Sequence, residues 1–236
     1  MLVLGIESST PVASVAIVSE QGIMGEIVLN IGLTHSEQLL PLIDDLIKQV
    51  RIDMKEIEGI AVGGGPGSFT GLRIGMATAK GLAQGCKVPL VSISTLRILA
   101  GNMETQPALV APVMNARKQE VYTALYRFTG KGEEELFSPR TSAPETWARE
   151  LLTLQEPVIL LGDGVPAYLG LWQEILGSKA LITPPVHWQI RASHLAWLGR
   201  KKIMAGETAD LYSLKPVYLR PAEAEARLLG KSCSER

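Results

Sequence analysis

The sequence predicts an α/β protein made of two successive lobes, each with the element order β-β-β-α-β-α. Three observations support this class. Short apolar runs are separated by turn residues, the apolar period then changes to that of a helix, and the same order begins again after residue 101. The chain of 236 residues is 46% hydrophobic and 20% charged, which is ordinary for a globular protein.

The first lobe begins with three predicted strands joined by short turns, which indicates an antiparallel meander. These strands are Leu2–Ile6, Val12–Val18 and Ile23–Leu29. An amphipathic helix follows, with apolar residues at Leu39, Leu40, Ile43, Leu46, Ile47 and Val50. Thr34 and Glu37 are spaced as a capping box ahead of it, and Pro41 lies inside it. The lobe continues with strand Ile57–Val62, helix Ser68–Gln84 closed by Gly85, strand Val88–Ile93 and a short helix from Thr95.

The second lobe repeats this order after a polar boundary near Gly101–Pro107. Its predicted elements are strands Leu109–Met114, Val121–Arg127 and a weaker one around Leu136–Ser138, helix Thr146–Leu154, strand Val158–Leu161, helix Tyr168–Leu176, a short apolar run at Ala180–Thr183 and helix Ala192–Ala205. We therefore expect residues 1–100 to form the first lobe, joined by a C-terminal segment of about residues 206–236. Residues 101–205 are expected to form a degenerate second lobe.

Composition limits the classes of function. The net charge is −1 and the pI about 6.3, so the sequence lacks the basic character of a protein that grips nucleic acid alone. Cys86 and Cys233 match no zinc or redox spacing, and the N-terminus has no basic region before its apolar run. No apolar window approaches 18 residues. We expect a cytoplasmic protein without a membrane span.

A glycine-rich loop, Gly63–Gly67, follows a strand and precedes a helix, where backbone amides favour anions. It matches neither a P-loop nor the dinucleotide fingerprint. A tight turn and a phosphate cradle both explain it. The first hairpin turn, which begins at Glu7, also has two explanations. It is either a cluster of turn-capping side chains or the site of a carboxylate that binds magnesium. The residues of these two vestigial phosphate loops are Glu7, Ser8, Ser9, Thr10, Gly65, Pro66, Gly67 and Ser68.

The helix after the loop carries small residues on one face: Gly71, Gly75, Thr78 and Ala79. Two glycines destabilise a helix by roughly 1 kcal/mol each relative to alanine. Close packing on the sheet and docking of a partner helix both account for such a face, and the spacing does not separate them.

Two successive β-β-β-α-β-α units resemble the layout of the actin, sugar-kinase and Hsp70 ATPase superfamily (the ASKHA, RNase H-like fold). The local motifs resemble one family more closely. Five strings are similar to those of the TsaB (YeaZ) family: GPGSFTGLRIG (65–75), THSEQLLPLIDDLI (34–47), NARKQEVYTALY (115–126), LLGDGV (160–165) and PVYLR (216–220). This family supplies the non-catalytic subunit of the bacterial machinery for threonylcarbamoyladenosine (t6A) in tRNA. Asn115 stands where the family often has aspartate.

The resemblance implies a scaffold that activates the catalytic subunit TsaD together with the ATPase TsaE, and that forms a homodimer in isolation. It contacts tRNA only through the complex, and ATP and Mg²⁺ are used by the complex, so no tightly bound cofactor is expected. The implied partner interface comprises His35, Leu39, Leu40, Ile43, Thr70, Gly71, Arg73, Ile74, Gly75, Thr78, Ala79 and Leu82.

No catalytic or metal site is expected in this chain itself. TsaD carries an H-x-x-x-H pair after the strand that corresponds to Val88–Ile93, whereas this sequence has Arg97 and no histidine there. Because Arg97 lies where the catalytic relative carries its metal ligands, we expect Arg97→Ala to leave association intact. An independent ATPase or small-molecule kinase of the actin-like superfamily is the alternative function.

Overall fold

The computed structural model describes residues 1–31, 35–105, 107–129 and 132–220. The first of two five-stranded sheets has the order β3-β2-β1-β4-β5. Its strands are β1 Leu2–Glu7, β2 Ala13–Ser19, β3 Gly22–Leu29, β4 Ile57–Gly63 and β5 Leu90–Ile93. β1 pairs antiparallel with β2 and parallel with β4, as expected for a meander followed by a helical crossover.

The second sheet has the order β8-β7-β6-β9-β10, which repeats the order of the first. Its strands are β6 Leu109–Arg117, β7 Glu120–Thr129, β8 Gly132–Ser142, β9 Val158–Leu161 and β10 Ala180–Ile182. This repetition confirms the predicted fold class, an α/β protein with two actin-like lobes. The third strand of the second lobe is much longer than the predicted Leu136–Ser138. It is an edge strand paired only with β7, so most of its side chains need not be apolar.

Seven α-helices complete the described part of the chain: α1 His35–Val50, α2 Phe69–Cys86, α3 Thr95–Ala100, α4 Pro144–Leu152, α5 Gly164–Ala167, α6 Leu169–Leu176 and α7 Ala192–Met204. α1 and α2 share an apolar cluster with one face of the first sheet. α4 and α6 share another with the second sheet. A third cluster, which includes residues of α3, α7 and both sheets, joins the two lobes.

With the expected lobe boundary at residue 100, α3 and α7 each pack on the sheet of the other lobe. α7 packs on the first sheet, where Gly199 lies against Ala61 and the backbone of Ala192 lies against Gly5. α3, by contrast, packs on β6 and β7 of the second sheet. The placement of Ala192–Ala205 in the second lobe was therefore wrong. The small residues on α7 fit closely against small residues of β1 and β4, and sequence order does not reveal that contact.

The capping residues of α1 and α2 agree only in part with those expected from the sequence. Thr34, the expected cap of α1, lies outside the described residues, and Pro41 lies inside the helix on its exposed side. α2 begins at the expected place, with Ser68 as its N-cap. It ends later than expected, because Lys87 rather than Gly85 adopts the left-handed conformation, with φ of 57°.

No helix in the described part of the chain is both long and apolar enough to cross a membrane.

Candidate functional site

The glycine-rich loop is closely packed against the chain's own residues. A methyl group on Gly63 would come within 3.0 Å of the Glu7 carboxylate, and one on Gly64 would come equally close to the Ser92 hydroxyl. A methyl group on Gly65 would lie 2.5 Å from the carbonyl oxygen of Val217, and Gly65 has φ of +105°, which favours glycine. Intramolecular packing therefore accounts for these glycines without a phosphate.

Glu7 is fully buried at the end of β1. Its Oε1 accepts a hydrogen bond of 2.6 Å from the backbone N–H of Ser9, and its Oε2 has no hydrogen-bond partner among the described residues. Burial raises the pKa of this carboxyl above its ordinary value, although the hydrogen bonds from Ser9 act in the opposite direction. The carboxyl group is thus shielded within the hairpin, and its role toward a metal ion stays a prediction.

A cleft of about 770 Å³ separates the two lobes beside this hairpin. Its first-lobe wall includes Ser9, Thr10 and Ser68 at the start of α2, and His35 Nε2 donates a 2.7 Å hydrogen bond to the Thr10 carbonyl. Its second-lobe wall includes Arg117 and Lys118, which form a turn with Gln119 in which all three residues have φ between 50° and 60°. The helix start and the basic turn give the cleft an environment that favours anions.

The second-lobe wall also holds a carboxylate. Asp163 Oδ1 accepts a 3.0 Å hydrogen bond from the backbone N–H of Asn115, the position at which aspartate is common in the resembled family. The backbone N–H of Arg117 in turn bonds the Asn115 side chain at 2.9 Å. Over residues 1–31, 35–105, 107–129 and 132–220, no three His, Cys, Asp or Glu side chains converge as metal ligands.

Five of the residues expected to face a partner are buried inside the protein instead. Gly71, Gly75 and Ala79 lie on the buried side of α2, where the two glycines press on Ser8 at the end of β1. Leu39 and Ile43 lie in the apolar cluster beneath α1. These five residues are occupied by internal packing. Of the two explanations for the small-residue face, packing on the sheet is the one that the structure supports for Gly71 and Gly75.

The other seven residues of the predicted interface lie on the outer side of the two helices or at its border. Leu40, Thr70 and Arg73 are exposed, whereas His35, Ile74, Thr78 and Leu82 are half-buried. Beside them lie exposed residues that the sequence reasoning did not select: Ala77, Gly81 and Gly85. A methyl group on Gly81 or Gly85 would have no atom within 4 Å. Their i, i+4, i+8 spacing was visible in the sequence, so α2 carries a small-residue stripe on each of two sides.

We define the outer helical face as Leu40, Thr70, Arg73, Ala77, Gly81 and Gly85. Gly81, in the interior of α2, and Gly85, near its C-terminal end, have no neighbour within the described chain that requires a glycine. An apolar side chain, Leu40, is 56% exposed on the adjacent helix. Small residues at such positions permit the close approach of another backbone. Whether a partner occupies the outer helical face stays a prediction.

Arg97 is buried in α3 and is the centre of an ion-pair network. Its guanidinium pairs with Glu133 through two hydrogen bonds and with Glu104 at 3.2 Å, and Glu104 also pairs with Lys201 of α7 at 3.4 Å. The ring of Phe128 lies 5.1 Å from the same guanidinium. Arg97 therefore connects α3 to the second lobe, and its replacement will not be structurally neutral.

Comparison with known proteins agrees with this architecture. The family model of TsaD, tRNA N6-adenosine threonylcarbamoyltransferase, matches residues 17–227. The tRNA threonylcarbamoyladenosine biosynthesis protein TsaB of Bacillus subtilis is 32% identical over 96% of this chain and 97% of its own length. The TsaB protein of Escherichia coli is 28% identical over 98% of this chain and 100% of its own length. The solved structure of YeaZ from Pseudomonas aeruginosa superposes with a TM-score of 0.79 at 26% identity, covering 92% of this chain and 99% of that one. The chain belongs to the TsaB (YeaZ) family.

Proposed function

We propose that this chain is an accessory subunit in the biosynthesis of N6-threonylcarbamoyladenosine in tRNA. It binds and activates a TsaD-like catalytic subunit, together with a TsaE-like ATPase, and has no catalytic site of its own. The names of the curated relatives, which are t6A biosynthesis proteins, support the pathway. In this proposal ATP and Mg²⁺ are used by the complex, and tRNA is contacted only through it.

The outer helical face is the observation that carries the proposed role. Gly81 lies in the interior of α2 and destabilises the helix by roughly 1 kcal/mol relative to alanine, whereas Gly85 lies one residue before the end of the helix and destabilises it by less. No contact within the described chain offsets that loss. A second helix packed closely on this face would offset it, and it would bury Leu40 as well. Because the catalytic relative shares the fold, the face also suits pairing with a second copy of this chain when the catalytic subunit is absent.

The substitution Gly81→Arg tests the face without disturbing the interior. The site is exposed and open, so the variant should fold. A charged side chain there would hold an approaching helix away or be buried unpaired, and an unpaired buried charge costs several kcal/mol. We expect Gly81→Arg to sediment as a monomer and to capture the TsaD-like subunit at least tenfold more weakly.

Gly170→Arg is the matched control, since Gly170 is an exposed helical glycine with no atom within 4 Å of an added methyl group, but lies in α6 of the second lobe. It should self-associate and bind the catalytic subunit like the unmodified protein. If a folded Gly81→Arg variant dimerises and captures the catalytic subunit as well as Gly170→Arg does, the outer helical face is not the interface.

An independent ATPase is the second candidate, and the cleft between the lobes favours it, since the start of α2 and the basic residues Arg117 and Lys118 face it. ATP turnover by the isolated chain distinguishes the two functions. The accessory role predicts no ATP turnover above background by the isolated chain with Mg²⁺, whereas sustained turnover that is lost with Lys118→Ala would favour the ATPase.

A further inference from the structure

The C-terminal part of the described chain crosses from the first sheet to the second lobe. The backbone N–H of Ala209 bonds the carbonyl of Leu90 at 2.8 Å, at the edge of β5. Further along, the carbonyl of Leu214 accepts a 2.7 Å hydrogen bond from Lys80 of α2. The backbone N–H of Val217 then bonds the carbonyl of Gly64 at 2.8 Å. The segment thus passes directly over the glycine-rich loop.

Beyond the loop the segment reaches the second lobe. Arg220 Nη1 donates a 2.7 Å hydrogen bond to the carbonyl of Ala116, and the same nitrogen lies 3.2 Å from Glu120. These two partners flank the left-handed turn between β6 and β7. The hydroxyl of Thr141 in β8 donates to the carbonyl of Leu219 at 3.5 Å. Both lobes are therefore bound by one continuous stretch of six residues, 215–220, at the mouth of the cleft.

The two halves of the segment are held differently. Leu211 and Leu214 pack against the apolar cluster of the first lobe. After Leu214, Tyr218 contacts the start of α2. Its ring lies 4.8 Å from the ring of Phe69, and its hydroxyl accepts a 3.1 Å hydrogen bond from Arg73. Val217 and Tyr218 remain exposed. A stretch held by a few polar contacts opens at a lower free energy than one anchored in a core.

We propose that residues 215–220 form a latch that holds the two lobes together across the cleft and is released as a unit while Leu211 and Leu214 stay anchored. Release frees the Gly64 carbonyl, Arg73 and the turn at Arg117–Gln119 in one step. It therefore widens the cleft. At the same time it alters the surroundings of Arg73, a residue of the outer helical face near the start of α2. The latch is independent of whether the proposed accessory function is correct.

Hydrogen–deuterium exchange of the full-length protein tests the latch, with Arg220→Ala as the releasing variant. Removing a charged hydrogen-bond donor should make amide exchange about tenfold faster. The increase should occur together in three places: the latch itself, the loop at Gly64–Ser68 and the turn at Ala116–Glu120. Tyr212→Ala is the control, because Tyr212 lies on the same segment but is 84% exposed. It should exchange like the unmodified protein.

Arg220→Lys provides a second variant, since it retains a cation near Glu120 but loses the guanidinium geometry, and it should fall between the other two. Faster exchange confined to residues 215–220 would contradict the latch, because the lobes would then not depend on it. Faster exchange throughout both sheets would contradict it as well, because Arg220 would then support the global fold rather than a local closure.

Discussion

Two alanine substitutions in α2, Gly75→Ala and Gly81→Ala, should change stability in opposite directions. Both place the same methyl group in the interior of one helix, and both should gain up to about 1 kcal/mol from the higher helix propensity of alanine. The two sites differ only in what surrounds the methyl group. The pair therefore isolates the orientation of α2 on the sheet.

At Gly81 no atom lies within 4 Å of the added methyl group, so the propensity gain should remain as a net stabilisation of up to about 1 kcal/mol. At Gly75 the methyl group would come within 3.0 Å of the Ser8 hydroxyl, which is buried and donates a 2.9 Å hydrogen bond to the carbonyl of Gly71. Overpacking of this kind costs about 1–3 kcal/mol. Loss of the Ser8 hydrogen bond adds about 1 kcal/mol. The net effect at Gly75 is a destabilisation of about 1–3 kcal/mol.

Urea unfolding followed by circular dichroism gives the free energy of unfolding of each variant, and thermal melts give an independent estimate. Both are measured at protein concentrations at which sedimentation shows a monomer, so that a methyl group in the proposed dimer seam does not contribute. In a domain of this size 1 kcal/mol corresponds to a Tm shift of about 2–4 °C. Gly81→Ala should melt higher than the unmodified protein and Gly75→Ala lower. Stabilisation by both substitutions, or destabilisation by Gly81→Ala alone, would refute the assignment of Gly75 to the interior and Gly81 to the surface.

Two further predictions concern buried charged groups. Arg97→Ala should lower the free energy of unfolding by about 1–3 kcal/mol in urea titrations, because two carboxylates lose their partner but are themselves partly exposed; an unchanged midpoint would contradict this. Burial raises the pKa of Glu7, so the folded state favours the protonated carboxyl, and stability is lost as the pH rises from the ordinary value of 4.5 toward the folded pKa. Glu7→Gln stays neutral, so its stability relative to the unmodified protein should increase between pH 4.5 and 7, and a difference that does not vary with pH would contradict the burial argument.

The sequence predicted the strands and outer helices well because each has a local signal. β9 has the predicted bounds Val158–Leu161, since a short apolar run between turns leaves little choice. The placement of α7 could not be predicted in the same way. Its packing depends on contacts such as that of Gly199 with Ala61, which are far apart in sequence. Lys87 is a similar case, since α2 ends at Cys86 and Lys87 is its left-handed cap, although Gly85 is the better residue for such a cap.

The candidate interface shows the same limit at the level of side chains. α2 carries glycines at Gly71 and Gly75 and again at Gly81 and Gly85, and both pairs have the i, i+4 spacing. Periodicity identifies the two stripes but does not tell which one faces the sheet. The contact of Ser8 with the first pair decides the matter, and it depends on how the β1–β2 hairpin lies under the helix. Leu40, which is expected at a partner interface, is 56% exposed, and its contact with a partner stays a prediction.

Reconstituted modification of tRNA tests the proposed accessory role most directly. A TsaD-like subunit, a TsaE-like ATPase, ATP, Mg²⁺ and the threonylcarbamoyl donor are combined with unmodified tRNA, and the t6A formed is measured with and without this chain. The account predicts product only when this chain is present, none from this chain alone, and a rate reduced at least tenfold with Gly81→Arg but not with Gly170→Arg. Equal product in the absence of this chain would contradict the proposal.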